Sequence, residues 1–395
     1  MTLSELADRP IGDQPEPLKV EGSRTEVAFS GLVSENPLNP KDAGAFAKIF
    51  ELAGLSQSEY RLIEDTFRFS TWQQSARGKD GSRDLIQLYS YSGRFARLTQ
   101  DALDADEAAN LLLLAKRHNT TKTGSVVPAA RVVIVSDPQV GKVDHRGGTP
   151  ELLDRIAYFI AELDATMAAQ PCAEAVVLDA GDLIEGFENT KGQRHTNDLS
   201  LPSMLRVSRA ILTDIVGTVA ARHDRTRVAT CPSNHAAWRE GAGYLGTPGD
   251  DFGIDCHRAV AEVFRHSDPS VGWVWPDEWD QSVALDIAGA RVGLTHGHYA
   301  KQRRFREWLA GQALGSTVLS DCDIIVSGHY HNFIVEPVGF INKRERVHIQ
   351  APTMDNGSEW WRALTGDDSA PGLLTFTITD GQIGNLRLIQ HVAGR

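Results

Sequence analysis

The chain has 395 residues, with 40 basic against 52 acidic side chains and a formal net charge of −12. That balance argues against a protein held on nucleic acid by its overall charge and leaves only local basic patches for the purpose. A chain of this length predicts two domains, or one large domain with an appendage, and its 41% hydrophobic content supplies a sizeable core. Residues 1–38, broken by Pro10, Pro15, Pro17 and Gly22, read as a loose segment. A small α+β module is expected over 39–100. Asn39 and Pro40 start a helix with Phe46, Ile49, Phe50 and Ala53 on one face, stopped by Gly54. Ser56–Ile63 reads as further helical turns, and Thr66–Trp72 and Leu85–Tyr91 as two strands of a hairpin. Residues 101–128 read as a helix, acidic at its start and basic at its end, followed by a linker at Thr120–Ser125. The main domain then spans 129–395.

From Arg131 onward, five short apolar runs each end in a polar cluster. Arg131–Ser136 leads to Asp137 and Gln139; Ala175–Ala180 leads to Asp182 and Glu185. Arg227–Cys231 leads to Ser233, Asn234 and His235; Ala290–Thr295 leads to His296 and His298; Asp323–Ser327 leads to Gly328, His329, Tyr330 and His331. A buried strand presents side chains in this way at its carboxyl end. Asp, Asn and His are donors suited to Mn, Fe, Zn or Mg. Singly, each of these residues is more often a turn, a helix cap or a hydrogen-bonded core group; it is their coincidence at five strand ends that points to a metal site. Asp179 and Glu185 read as packing or supporting groups. Asp250, Asp251, Asp277 and Glu278 read as solvated loop acids, and the Trp360–Trp361 pair as packing. The glycine-rich stretch Gly241–Gly253 reads as a loop able to close over a substrate.

The order and spelling resemble the calcineurin-like metallophosphoesterase superfamily, whose pattern runs D-x-H, G-D-x-x-(D/E), G-N-H-(D/E), H and G-H-x-H. The resemblance covers Arg131 to the C-terminus. It implies a four-layer αββα sandwich of two mixed sheets, here carrying the small N-terminal α+β module. It makes Asp137, Gln139 and His331 ligands of one ion, Asn234, His296 and His329 ligands of the other, and Asp182 the bridge between them. His235 becomes the proton donor or transition-state stabiliser. Two divalent ions about 3.5–4 Å apart share a hydroxide and clamp a phosphoryl group for in-line attack. Two departures stand out. Gln139 replaces the usual histidine with a weaker, uncharged donor, which favours Mn or Mg and a looser first ion. Ser233 and Ala236 replace the glycine and acid around Asn234 and His235, so no neighbouring acid orients His235.

The start Ser136–Gly141 looks closest to the D-x-H-x-G of double-strand-break repair nucleases and related phage or bacterial DNA phosphoesterases, with Gly141 suited to close backbone approach at the metals. DNA is the expected substrate. Arg68, Trp72, Arg77, Lys79, Arg83 and Tyr89 of the small module interleave basic and aromatic groups as nucleic-acid binders do. Lys301, Arg303, Arg304, His298 and Tyr330 are the candidate substrate contacts beside the metals. The resemblance further implies a homodimer and a separate ATPase partner, since the chain carries no G-x-x-x-x-G-K-(S/T). Two alternatives stay open: a phosphatase or phosphodiesterase on nucleotides or phosphoproteins, and a metal-retaining DNA-binding protein without turnover. Four scattered cysteines with no C-x-x-C read as core thiols of a reducing compartment. No apolar run approaches the ~18 residues of a membrane span. Nor is there the basic start and apolar core of a signal peptide, so a cytoplasmic location and no membrane contact are expected.

Overall fold

The computed structural model describes residues 19–22, 26–33, 50, 53–56, 60–62, 66, 68–77, 83–97, 105–118, 128–144, 146–187, 197–240, 243–341, 343–359, 362–363, 366 and 368–391. The chain divides into a unit of residues 1–104 and a unit of residues 105–395.

The first unit is an antiparallel sheet of β1 (Lys19–Gly22), β2 (Glu26–Val33), β3 (Tyr60–Leu62), β4 (Arg68–Arg77) and β5 (Arg83–Arg97). β5 is long enough to pair with β2, β3 and β4 at once. Its buried Phe95 packs on Phe50, ring centroids 4.7 Å apart. Two expectations are corrected here. The segment 1–38 contains β1 and β2, which pair with each other, and β2 pairs in turn with β5. Within Ser56–Ile63, expected as helical turns, Tyr60–Leu62 is a strand that completes the edge of β5, where pairing overrides local helix propensity; residues 57–59 and 63 lie outside the described residues.

The second unit opens with α1 (Ala105–Arg117), followed by β6 (Ala130–Val135), α2 (Thr149–Ala169), β7 (Glu174–Asp179), α3 (Leu201–Ala220) and β8 (Arg225–Thr230). A two-stranded hairpin, β9 (Arg239–Glu240) and β10 (Gly243–Tyr244), precedes α4 (Phe252–Ser267), β11 (Val271–Val274), β12 (Ser282–Ile287) and β13 (Ala290–Thr295). Then come α5 (Phe305–Leu314), β14 (Ile324–Ser327), β15 (Ile334–Ile341), β16 (Arg344–Gln350), β17 (Gly372–Thr379) and β18 (Gln382–Gln390). One mixed sheet runs β11-β8-β7-β6-β17-β18 and the other β12-β13-β14-β16-β15. β17 and β18 extend the first sheet, where β17 runs antiparallel to β6.

Period-two alternation builds the layers. Val132, Ile134, Val176 and Leu178 of the first sheet meet Val292, Leu294, Ile324 and Val326 of the second in one core. The interleaved Val133, Val135 and Val177 are buried on the opposite face. Helices α2 and α3 pack on strands of the first sheet, and α4 packs on β11. Phe305 and Leu309 of α5 meet Ile325 and Val338 on the outer side of the second sheet. The result is a helix–sheet–sheet–helix sandwich, with α1 laid across α3 and α4. Each fully buried Val or Leu of these strands contributes about 1.5–3 kcal/mol by leaving water. All four cysteines are buried and free. No helix among the described residues is long and apolar enough to cross a membrane.

Candidate metal centre

The parallel strands β6, β7 and β8 of one sheet and β13 and β14 of the other end on the same side, and the loops that follow hold every candidate ligand. The turns are tight. Asp137, Gln139, Asp182, His329 and His331 all have positive φ, between 45° and 70°, a region that costs energy for residues other than glycine and persists where contacts enforce it. Backbone hydrogen bonds enforce it here: Asp137 N–H donates to the Gly181 carbonyl, Gln139 N–H to Asp182 and Val140 N–H to Leu183. Gly181 has φ +96°, and a Cβ there would lie 2.6 Å from Ser233 Cβ. The other glycine singled out by the sequence, Gly141, has φ +95°, and a Cβ there would strike the side chain of Met204 of α3.

In the first corner, His296 Nδ1 lies 2.7 Å from the Ala180 carbonyl, to which it donates. Its Nε2 lone pair then faces Asn234 Oδ1 at 2.8 Å and Asp182 Oδ2 at 3.0 Å. Asp182 Oδ2 is buried and accepts no hydrogen bond among the described residues. Three electron-rich atoms converging in a dry place require a cation. A proton on His296 answers part of that requirement, which is why its pKa rises to about 9: burial opposes the charge, and Asp182 and Asp137 outweigh it. Asp182 is held well below the usual carboxylate range, since His296, His235 and His329 outweigh the effect of burial. Asp182, His296 and His329 each offer a donor atom within 4.8 Å of the others, and Asn234 joins them through its oxygen. A divalent ion fits this donor set.

The second corner is different. Asp137 is buried, accepts from the His329 N–H at 3.1 Å and from Ser136 Oγ, and lies 3.4 Å from His331 Nε2. Gln139 does not complete it. Its Oε1 receives the Lys142 ammonium at 2.8 Å, and its Nε2 lies 3.5 Å from His235 Nε2. Lys142 is paired in turn with Asp355 at 2.5 Å. Burial works against the lysine charge, but Asp355 and Glu185 more than restore it, and its pKa is raised. The donor set expected for an ion at Asp137, Gln139 and His331 is therefore not met at Gln139.

His235 sits between the corners. Its N–H donates to Asp182 Oδ1 at 2.8 Å, and its Nδ1 lies 3.0 Å from the Glu185 carbonyl and 3.1 Å from the Glu185 carboxylate. The expectation that nothing orients this ring is corrected: Glu185, from the neighbouring strand loop, does what the missing acid at Ala236 does not. Asp179, one turn below, accepts from Gly181 N–H and from His257 Nε2 at 2.6 Å, with Trp273 donating to the other nitrogen of His257. Asp251 is not a solvated acid. It is buried, caps α4 through Gly253 and Ile254 N–H, and holds Ser233 N–H at 3.0 Å, steadying the loop that carries Asn234.

His298 is a lining residue. Its ring lies 5.4 Å from that of His296 and 6.1 Å from that of His329, and both its nitrogens lack a hydrogen-bond partner among the described residues. Burial, and then His296 and His329, lower its pKa to about 3 and keep it neutral. Tyr330 donates to the Ala300 carbonyl at 2.5 Å and so ties the loop after His298 to the loop of His329. Lys301, Arg303 and Arg304 are exposed on that loop, and Arg304 is paired with Glu307 of its own helix. In the small unit, Arg68, Trp72 and Arg77 fall on β4 and Arg83 and Tyr89 on β5, while Lys79 lies outside the described residues, as do Trp360 and Trp361 of the second unit. Lys142 and Asp355 escaped the sequence reading. Asp355 follows β16 as the other site residues follow their strands, so the same strand-end rule marks it.

No family model matches the chain, and no curated protein matches it. Among solved structures it is similar to a single mutant of Vps29 from Entamoeba histolytica (13% identity, 66% of this chain and 99% of that one, TM-score 0.29). It is also similar to a conserved uncharacterized protein of Streptococcus pneumoniae described as a predicted phosphoesterase (10% identity, 67% and 94%, TM-score 0.28) and to GAP50 of Plasmodium (9%, 67% and 89%, TM-score 0.30). Scores this low carry no weight for activity. The architecture of the chain is established by its own strand order and strand-end loops.

Proposed function

We propose that the chain is a divalent-metal-dependent phosphoesterase that hydrolyses phosphodiester bonds, with DNA as its substrate. The observation that carries this reading is the convergence of Asp182 Oδ2, Asn234 Oδ1 and His296 Nε2, with His329 beside them, at strand ends drawn from both sheets. Those four residues would hold an ion, and Asp137 and His331 flank it. A divalent ion supplies Lewis acidity toward phosphoryl oxygens and lowers the pKa of an attacking water, and manganese suits a mixed oxygen and imidazole donor set. His235, steadied by Glu185, presents Nε2 toward the Asp182 carboxylate at 3.9 Å, placed to stabilise or protonate a leaving oxygen. Neutral His298 has one ring N–H to offer a substrate oxygen.

The rim favours a nucleic acid over a small ester. Tyr299 packs on His298, ring centroids 4.0 Å apart, and its hydroxyl accepts from Gln281 Nε2 at 3.4 Å, with Tyr244 nearby; both tyrosines are exposed. Arg239 lies close enough for its charge to act on His298. Aromatic faces beside a guanidinium accept a stacked base and its phosphate. The test is hydrolysis of bis-p-nitrophenyl phosphate, p-nitrophenyl phosphate and linear single- and double-stranded DNA with Mn, Mg, Zn or EDTA, beside Asp182→Asn. Mn-dependent cleavage of DNA and the diester, lost in the variant, is the expected result. Cleavage confined to the monoester makes the chain a phosphatase, and bound metal with no turnover makes it a binding protein.

A further inference from the structure

The two corners of the centre differ through a buried contact that the reading above does not use. Lys142 Nζ is shared between Gln139 Oε1 and Asp355 Oδ2, and both charged side chains are largely withdrawn from water, 10% and 2% exposed. Asp355 is fixed. Its carboxylate accepts from Asn356 and Gly357 N–H, and Arg155 of α2 fastens the loop at the Met354 carbonyl and at Asn356. An amide side chain has one acceptor atom and one donor group. With the Gln139 oxygen given to Lys142, the NH₂ group is what faces His235 Nε2, and His235 is itself anchored through Nδ1 to Glu185. Lys142 Nζ, with acceptors on both Asp355 and Gln139, ties the Gln139 oxygen to a fixed carboxylate. Turning the Gln139 oxygen toward a cation beside Asp137 would strip a buried ammonium of a partner.

We propose that Lys142, fixed by Asp355, is a positioning residue that withholds Gln139 from the metal centre. The chain then takes one divalent ion tightly at Asp182, Asn234, His296 and His329, and a second, at Asp137 and His331, at least about tenfold more weakly. The inference rests on the metal-dependent reading above and goes beyond it by assigning unequal sites and the residue that makes them unequal.

The experiment is equilibrium dialysis of the full chain, stripped with EDTA, against increasing Mn(II), with bound metal measured by atomic emission and the Mn EPR spectrum recorded at each step. Two uptake steps at least about tenfold apart are expected, with the six-line signal of an isolated ion at one equivalent. Uptake of two ions at the same concentration, with an exchange-coupled signal from the first additions, overturns the inference and leaves the phosphoesterase reading standing. No bound Mn at any concentration overturns both. A second arm uses Gln139→His with Lys142→Met and Asp355→Asn, the last included so that no buried carboxylate is left without its cation. Provided circular dichroism shows a folded chain, the weaker step tightens about tenfold or more in this variant. An unchanged weaker step in the folded variant counts against the inference as decisively as equal binding in the parent chain.

Discussion

The two corners of the centre are built by the same device and reach different ends. Around His296, three lone pairs are driven together and every supporting contact leaves them pointing inward: Ala180 takes the far nitrogen of the ring, and Asp251 holds the Asn234 loop from behind. Around Asp137, the supporting contacts reach into the donor set itself. His329 N–H and Ser136 Oγ bond the carboxylate, and Lys142 occupies the one oxygen that Gln139 has to give. Seven ligand-type residues at five strand ends do not by themselves make two equivalent sites; what stands behind each donor decides whether it is free to bind.

The sharpest way to break this comparison is to remove a donor from each corner. His296→Ala and Asp182→Asn should each lower Mn-dependent diester hydrolysis by about 10³-fold or more, because the protein loses its main point of charge stabilisation. His331→Ala should cost less, about 10- to 100-fold, as loss of a weaker support does. Steady-state kinetics with bis-p-nitrophenyl phosphate measures all three. A larger loss from His331→Ala than from His296→Ala reverses the ranking and with it the contrast between the corners.

Glu185 comes next. Burial opposes a charge on His235, but Asp182 and Glu185 outweigh it and raise its pKa. The protonated ring therefore persists to higher pH than a free histidine, and activity that needs this proton falls only as pH rises through the raised value. Glu185→Gln removes part of the cause, so the falling limb of the kcat/KM profile should move to lower pH. The maximum rate should fall by less than about tenfold, since the Glu185 main-chain carbonyl still holds Nδ1 in this variant. A pH profile with an unmoved alkaline limb assigns that proton to another group.

How much of this was legible in the sequence depends on the distance over which each answer is written. Ligand types at strand ends are local: a run such as Ile324–Ser327 must be a buried strand, and the residues after it must sit at its end. The double sheet follows from several such runs. The partners of those residues are not local. Glu185 reaches His235 across 50 positions and Asp355 reaches Lys142 across 213, so neither the tether of His235 nor the diversion of Gln139 has a signature in its own neighbourhood. Asp251 looked solvated because its neighbours are glycine-rich and polar; only the Ser233 backbone brought against it explains its burial. In the small unit, Tyr60–Leu62 reads as helix locally and becomes strand because β5 offers it an edge.

Asp251 tests the support behind the first corner through stability. Burial raises its pKa to about 6, against three backbone hydrogen bonds that lower it. A carboxyl whose folded pKa lies above its unfolded value holds a proton more tightly when folded. Its contribution is fully present below pH ~4 and is lost as pH rises through about 6, amounting to roughly 2 kcal/mol between those limits. In Asp251→Asn that part of the pH dependence should vanish, with a cap retained. Denaturant melts at pH 4, 5, 6 and 7 measure it, and parallel curves for the two proteins would show that Asp251 ionises normally in the folded chain.

The smallest effects belong to the exposed cations beyond the first corner, and they separate contact with a long substrate from chemistry at the centre. Lys301 and Arg304 lie on the loop after His298, and the charge of Arg304 is already answered by Glu307 of α5. If DNA runs over this loop, Lys301→Ala should weaken DNA cleavage uniformly across sequences and reduce the slope of log affinity against log salt by about one. Arg304→Ala should change that slope less, since a paired guanidinium releases fewer counterions on binding. Neither should alter turnover of bis-p-nitrophenyl phosphate, which is too small to reach the loop while seated at Asp182. Equal slopes for both variants and the parent chain would mean that the strand leaves the centre by another path, with the rim of Arg239, Tyr244 and Tyr299 the next place to look.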